Sequence, residues 1–299
     1  MSASFASALA AARDAAAAQH YPQPALYVVA TPIGNLADIT LRALHVLQLV
    51  DAIACEDTRH TSGLLRIYGI TKPLLAAHQH NEHEAAQLII TRLRAGERVA
   101  AGSDAGPPAV SDPGARLAAD VRAAGLRVLP LPGASSVTAL LSVAGIADDA
   151  GAYVFQGFLS SKAKERDTQV ASIANEARAV VLLEAPHRIE ALATAWAALG
   201  ERPVTLGREL TKQFEDIATV PAQAISAWLA ADAHRTQGEY AIAIHPRAAE
   251  AKQTTEGHRV LLLLLPELPT KTAVKLAAEI TGEPRNALYE LALSLKAGS

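Results

Sequence analysis

The sequence predicts an α/β protein made of two such domains followed by a small helical unit. Two observations carry that expectation. Short apolar runs alternate with helical patterns from Leu26 to Ile244, and the segment Pro130-Leu-Pro132-Gly133 interrupts the alternation partway along. A third, the polar stretch Arg247–Gly257, sets the last residues apart. The expected organisation is an N-terminal extension at 1–24, α/β domains at 25–132 and 133–247, and a helical appendage at 257–299.

Residues 1–24 are alanine-rich and are closed off by Pro22 and Pro24. Leu26–Thr31 reads as a strand, Pro32-Ile-Gly-Asn-Leu36 as a loop, and Asp38 as the cap of a helix over Ile39–Val50. Ala52–Cys55, Leu74–Ala77, Arg98–Gly102 and Leu126–Leu129 read as further strands. Helices over Thr58–Tyr68, Glu82–Arg94 and Ala115–Ala124 lie between them, and Pro130–Gly133 reads as a turn before a helix over Ser135–Ala144. The second block has strands near Tyr153–Gly157, Val180–Glu184, Val204–Arg208 and Tyr240–Ile244, with helices near Lys162–Glu176, Ile189–Leu199 and Ala222–Ala231. In the appendage, Lys271–Thr281 and Pro284–Lys296 read as two helices around a Gly282 turn, a pattern open to both a helix-turn-helix and a plain αα-hairpin.

Composition narrows the function classes. With 27 basic and 30 acidic residues the net charge is -3, so any nucleic-acid contact has to come from a local basic cleft. The single cysteine, Cys55, excludes a disulfide framework or a cysteine-built zinc cage, and its apolar surroundings read as core. No run reaches the roughly 18 apolar residues of a membrane helix, and the stretch Val260–Leu265 is far too short. The N-terminus has no leucine-rich signal-peptide core, so the cytoplasm is the expected location and no membrane partner is expected.

The densest chemical signal is Gly102-Ser-Asp-Ala-Gly-Pro-Pro-Ala-Val-Ser-Asp-Pro-Gly114, which follows a strand and packs three glycines and three prolines around two aspartates. Such a loop brings bare backbone close to a ligand while its prolines hold the shape. Asp104 stands at a strand's C-terminal end, where open α/β sheets bind ligands, whereas Asp112 reads equally well as a helix cap. Pro132-Gly-Ala-Ser-Ser136 opens a helix and offers hydroxyls and unpaired amides either to a ligand or to simple capping by Ser135. Neither a Walker sequence nor a Gly-x-Gly-x-x-Gly fingerprint is present. His78, His80 and His83 lie near Glu56 and Asp57 in the sequence but lack the i, i+4 spacing of a helical zinc pair, so no metal is expected. Glu184-Ala-Pro-His187-Arg188 and Gly207-Arg-Glu-Leu-Thr-Lys212 each put a carboxylate beside a cation at a strand exit, which is read either as two solvated ion pairs or as one shared cleft.

Together with Leu26-Tyr-Val-Val-Ala-Thr-Pro-Ile-Gly-Asn-Leu36, Cys55-Glu-Asp-Thr-Arg59, His78-Gln-His-Asn-Glu82 and Gly238-Glu-Tyr240, these segments make eight motifs in one order. The set resembles the ribosomal RNA small-subunit methyltransferase I family, of the tetrapyrrole methylase-like superfamily, over residues 25–296. The resemblance implies a two-domain methylase fold with a helix-turn-helix-like appendage, usually a homodimer, holding S-adenosylmethionine between its domains. It also implies 2′-O-methylation of a cytidine near the decoding centre of small-subunit ribosomal RNA, on the RNA or the assembled 30S subunit. Carried onto this chain, it implies a donor site of Pro32, Gly34, Asp104, Ala105, Val110, Ser135, Ser136, Leu210 and Gly238. Glu184, His187 and Glu209 are base candidates, and Arg59, Arg188, Arg208, Lys271, Lys275 and Arg285 are candidates for holding RNA. One departure stands out: Pro107 occupies a position where the family usually has threonine, which removes a hydroxyl and a backbone donor. The alternatives are a tetrapyrrole methyltransferase with a macrocyclic acceptor, a metal-dependent hydrolase built on the histidines, and a catalytically silent RNA-binding module.

Overall fold

The computed structural model describes residues 5–78, 81–108, 114–146, 151–247 and 256–297. By its internal contacts the chain divides into two compact units, Met1–Arg247 and Ala248–Ser299. The first unit holds two five-stranded sheets.

One sheet is made of β1 (Ala25–Val29), β2 (Ala52–Cys55), β3 (Leu74–Ala76), β4 (Arg98–Gly102) and β5 (Val128–Leu131), in the order β3-β2-β4-β1-β5. Every neighbouring pair is parallel. Parallel strands covered on both faces read as continuous apolar runs, as Ala-Leu-Tyr-Val-Val does in β1. Tyr27 and Val29 enter one core with Leu44, Leu47 and Tyr68, while Leu26 enters the other with Ile89, Leu93 and Val121. The covering helices are α1 (Ala6–Ala16), α2 (Leu41–Leu49), α3 (Thr58–Ile67), α4 (Glu82–Arg94) and α5 (Ala115–Ala123). Helix α1 lies within the segment expected as an extension and packs on α2, with Ala12 and Ala16 buried and the Phe5 ring edge-on to Tyr68 at 5.1 Å.

Helix α6 (Ser136–Val143) leads to the second sheet: β6 (Tyr153–Gly157), β7 (Ala179–Glu184), β8 (Pro203–Arg208), β9 (Asp216–Pro221) and β10 (Tyr240–Ile244), in the order β6-β7-β10-β8-β9. Only β6–β7 is parallel. The alternation in β10 gives each face a different job. Ile242 and Ile244 join a core with Trp196, Leu206 and Ile189, contributed in part by α7 (Ala163–Asn175), α8 (Ile189–Trp196) and α9 (Ile225–Ala230). Ala241 and Ala243 face the other way, and their small side chains let α6 lie close through Leu140 and Ala144. Ile33, from the loop after β1, packs on the same cluster, so the two sheets meet there.

The second unit has its own core. Helices α10 (Glu256–Leu264), α11 (Thr270–Thr281) and α12 (Arg285–Ala297) bury Val260, Leu261, Val274, Ala277 and Leu288 together. Among the described residues no helix is long and apolar enough to cross a membrane.

Four expectations are corrected. The first helix of the α/β body starts at Leu41, and its cap is Thr40, whose hydroxyl accepts the Ala43 N–H at 3.1 Å; Asp38 instead ends a short 3-10 turn capped by Asn35. β5 continues through Pro130 and Leu131, where a turn was expected, because β5 is an edge strand and tolerates a missing N–H. Strand β9 was missed: it pairs only with β8, and its partly polar alternation lacks the signature of a core strand. The appendage has three helices rather than two, since the Val260–Leu265 run belongs to an amphipathic helix with Val260 and Leu261 inside and Leu263 outside. Replacing Thr40 by alanine should lower unfolding stability by about 0.5–2 kcal/mol in a urea titration. An equal loss from Asp38→Ala and none from Thr40→Ala would refute this assignment of the cap.

Candidate active site

The ladder registers set out one side of the site. Tyr240, at the start of β10, lies opposite Glu184 at the end of β7 on one side and Arg208 at the end of β8 on the other. Three strand ends therefore sit side by side facing the first sheet. On that sheet the loops leaving β1 and β4 are tied together, with Thr31 and Gly106 exchanging backbone bonds at 2.9 and 3.1 Å. The Ser103 hydroxyl adds a bond to the Gly106 carbonyl at 2.8 Å.

Between these walls opens a cleft of about 240 Å³. The loops of the first sheet supply Ile33 and Ala105–Pro107, and α6 supplies Ser135, Ser136 and Val137 at its N-terminus. The second sheet supplies Phe158, Leu183–Ala185, Gly207, Glu209, Leu210, Lys212 and Glu239–Ala241. The Ser135 side chain makes no capping bond to α6, so its position in the cleft wall is not explained by helix capping.

Glu184 is 2 % exposed in this wall. Its Oε1 accepts the Ala185 N–H at 2.8 Å and lies 3.0 Å from Arg188 Nε, while Oε2 is buried with no hydrogen-bond partner among the described residues. Burial pushes its carboxyl above the ordinary range, against the opposing Ala185 N–H and the charges of Arg188, His187 and Arg166. Glu209 is the opposite case. Burial pushes it up too, but the Lys212 ammonium at 2.8 Å and the Glu239 N–H at 2.9 Å outweigh that, and the net shift is downward. Lys212 also reaches Glu239 Oε2 at 2.9 Å, and its own pKa rises because the two carboxylates overcome its desolvation. The Tyr240 phenol is pushed up to about 12 by burial and donates to the Arg235 carbonyl, so it is no base.

The turn carrying this network is strained: Glu209 and Thr211 have φ of 51° and 67° without being glycines. Backbone held in that region away from glycine clusters at functional sites. It is pinned here by Glu215 Oε2, which accepts the Thr211 N–H at 2.6 Å, and by the Glu209 N–H bond to the Glu239 carbonyl at 2.9 Å.

Of the residues expected for the site, Ala105, Ser135, Ser136, Glu184, Glu209 and Leu210 line the cleft. Pro32 is buried beside Ile33, and Asp104, next to Ala105, has a buried Oδ1 without a partner among the described residues. Gly34, exposed, and Gly238, half-buried, do not line the cleft but lie against side chains that do. A Cβ at Gly34 would lie 2.4 Å from Lys212 Cγ, and one at Gly238 would lie 2.4 Å from Glu209 Cγ. Val110 lies outside the described residues, as do His80 and Asp112. His187 is exposed in the turn Pro186–Arg188 and does not line the cleft. Arg188 is engaged internally by Glu184 and the Leu159 carbonyl, and Arg208 donates to the Phe214 carbonyl at 3.0 Å. Arg59 is exposed on α3. Lys271, Lys275 and Arg285 are exposed on the three-helix unit, Lys275 standing 3.9 Å from Glu279. Among the described residues no group of three His, Cys, Asp or Glu is placed to hold a metal. Sequence reading missed Phe158, Lys212, Glu239 and Tyr240 as lining residues. Lys212, Glu239 and Tyr240 sat within recognised motifs, whereas Phe158 gave no signal.

Comparison with known proteins agrees with this layout. Residues 25–226 match the family model of Tetrapyrrole (Corrin/Porphyrin) Methylases, and residues 251–296 match the model of the RsmI C-terminal HTH domain. The chain is 46% identical over 273 residues to a ribosomal RNA small subunit methyltransferase I of Pseudomonas aeruginosa, covering 90% of this chain and 96% of that one. It is 48% identical over 274 residues to the protein of that name from Neisseria meningitidis, covering 91% and 94%. Among solved structures, uroporphyrin-III-C-methyltransferase from Thermus thermophilus superposes with a TM-score of 0.53 at 18% identity, over 74% of this chain and 94% of that one. The methyltransferase CobJ superposes with a TM-score of 0.56 at 16% identity, over 75% and 94%. At those identities the structural likeness concerns the fold.

Proposed function

The chain belongs to the ribosomal RNA small subunit methyltransferase I family, and we propose that it moves a methyl group from S-adenosylmethionine to the 2′-hydroxyl of a cytidine near the decoding centre of small-subunit ribosomal RNA. The observation that carries the chemistry is Glu184 Oε2: a buried, unpartnered carboxylate oxygen in the cleft wall, on a group whose pKa is raised. The relatives' names support the RNA acceptor, and the match of residues 251–296 supports an RNA-handling appendage.

The cleft suits the donor. Ser135 and Ser136, at the N-terminus of α6, and the backbone at Ala105 offer polar contacts, while Leu183, Leu210 and Ala241 offer apolar ones. The unpartnered Asp104 Oδ1 and Glu184 Oε2 favour a cationic ligand. Asp104, Ala105, Ser135, Ser136 and Leu210 would hold the donor, with Pro32, Gly34 and Gly238 shaping the wall behind them. S-adenosylmethionine supplies a methyl already activated on a sulfonium. The protein's part is then alignment, which contributes up to about 7–11 kcal/mol when ideal, and removal of the hydroxyl proton, which goes to Glu184 Oε2. Glu209 is committed to Lys212 and Glu239 and instead fixes the wall.

The test is transfer of labelled methyl from the donor to small ribosomal subunits lacking the modification, followed by mapping of the product. Label on a cytidine 2′-oxygen is expected. Donor binding without transfer, or label on a base or on a tetrapyrrole alone, would overturn the reading.

A further inference from the structure

Phe158 is a large aromatic side chain left 48 % exposed at the edge of the cleft, and the backbone is built to put it there. The β6–β7 ladder pairs Phe155 with Val181 and then Gly157 with Leu182, so one residue is bulged out between them. Bulges re-aim the side chains that follow and are enriched beside active sites. Gly157 completes the bend at φ 70°, a conformation that suits glycine. The next residues are fixed. Leu159 is 2 % exposed in the core, and its carbonyl accepts from Arg188, the same guanidinium that holds Glu184. The Ser160 N–H donates to Gln169 Oε1 at 2.8 Å, and the Ser160 hydroxyl donates to Glu165 Oε2 at 2.8 Å. The pinned loop thus holds an apolar ring exposed beside the cleft.

Tyr240 is the other aromatic among the described lining residues, and it is buried with its hydroxyl engaged. Phe158 therefore offers the aromatic face of the cleft that a ligand can stack on. Cations follow it closely in sequence. Lys164 is exposed, Lys162 is exposed and paired with Glu165 Oε1 at 2.9 Å, and Arg166, close enough to Glu184 to act on its charge, has a buried Nε without a partner among the described residues.

We infer that Phe158 is the platform on which the acceptor nucleobase stacks, with the Lys162–Arg166 segment beside it for the flanking phosphates, so that the site takes an unpaired nucleotide turned out of its helix. This rests on the proposed RNA methylation and names the acceptor geometry of that same site. A base within a duplex has both faces covered, so contact with this ring requires extrusion, a cost that stacking helps offset.

The experiment compares Phe158→Ala, Phe158→Leu and Phe158→Trp in the full chain, measuring donor affinity by calorimetry and kcat/KM on small subunits lacking the modification. Phe158→Ala should bind S-adenosylmethionine normally and lose roughly 5- to 150-fold in kcat/KM for subunits, the loss of one base–aromatic stack. Phe158→Trp should restore most of that loss and Phe158→Leu little of it. An unaltered kcat/KM in Phe158→Ala, full activity in Phe158→Leu, or weakened donor binding in Phe158→Ala would each overturn the platform. Failure of the unsubstituted protein to methylate subunits at all would instead sink the functional reading beneath it.

Discussion

Glu184→Gln is expected to lower kcat by about 10²–10⁴-fold, the contribution of a positioned general base, while leaving S-adenosylmethionine affinity close to that of the unsubstituted enzyme. Glutamine keeps the size of the side chain and an oxygen to accept from Ala185 and Arg188, but it cannot take a proton. The same substitution at Glu209 removes a wall contact rather than a base, and His187→Ala alters an exposed ring outside the cleft lining. Of the three base candidates, only the Glu184 variant should therefore combine normal donor binding with the full loss of rate.

The sign of the pH dependence follows from the same carboxyl. Its pKa is raised, and the base acts when deprotonated, so kcat should fall as pH drops through a value above the ordinary 4.5. Removing the Arg188 charge, which holds that pKa down, should move the acidic limb further up. Folding stability carries the matching sign: the native state keeps its proton longer, so this group's contribution falls as pH rises from 4.5 through the raised value. A loss of activity in Glu184→Gln at neutral pH thus does not stem from losing a stabilising charge. An acidic limb at or below 4.5, or near-normal kcat in Glu184→Gln, would remove Glu184 from proton transfer.

Most of the strand core was legible because each strand fills both faces or alternates cleanly. Arg98–Gly102, Tyr153–Gly157 and Tyr240–Ile244 were read with the bounds the structure has. What escaped obeys weaker local rules. β9 lies at an edge with one partner and little to bury, and α10 hides its helical stripe inside a run of leucines. Of the lining residues, Glu184 stood out as a carboxylate beside a cation at a strand exit and Ser135 as a hydroxyl in a turn opening a helix, whereas Ala105 came only with the family resemblance. Phe158 was not legible, because its role depends on a one-residue bulge, and a bulge changes which way a side chain points without changing composition. The network at Lys212 was legible only in part: the Glu209–Lys212 pair lay inside one recognised motif, but nothing in the sequence joined Glu239 to it. Glu209 and Glu239 are thirty positions apart, and only the β8–β10 pairing brings them to one ammonium.

That network makes Gly238→Ala the second large effect. Gly238 has φ 80°, and a Cβ there would lie 2.4 Å from Glu209 Cγ, 2.7 Å from its Cδ and 2.8 Å from Oε1. The carboxylate has to move, and with it go the bonds to Lys212 and to the Glu239 N–H that brace a turn already strained at Glu209 and Thr211. Gly125 supplies the control: its φ is 75°, and nothing lies within 4 Å of an added Cβ. Gly125→Ala should therefore show the backbone penalty alone, about 1–2 kcal/mol of stability with activity retained. Gly238→Ala should show that penalty and, in the folded fraction, a loss of methyl transfer on the order of 10²-fold, the scale of a 1 Å misplacement at a reacting centre. Donor affinity and rate, measured below the unfolding transition of both variants, separate the two contributions. If Gly238→Ala keeps full activity and differs from Gly125→Ala in neither stability nor donor binding, the Glu209–Lys212–Glu239 brace does not shape the cleft.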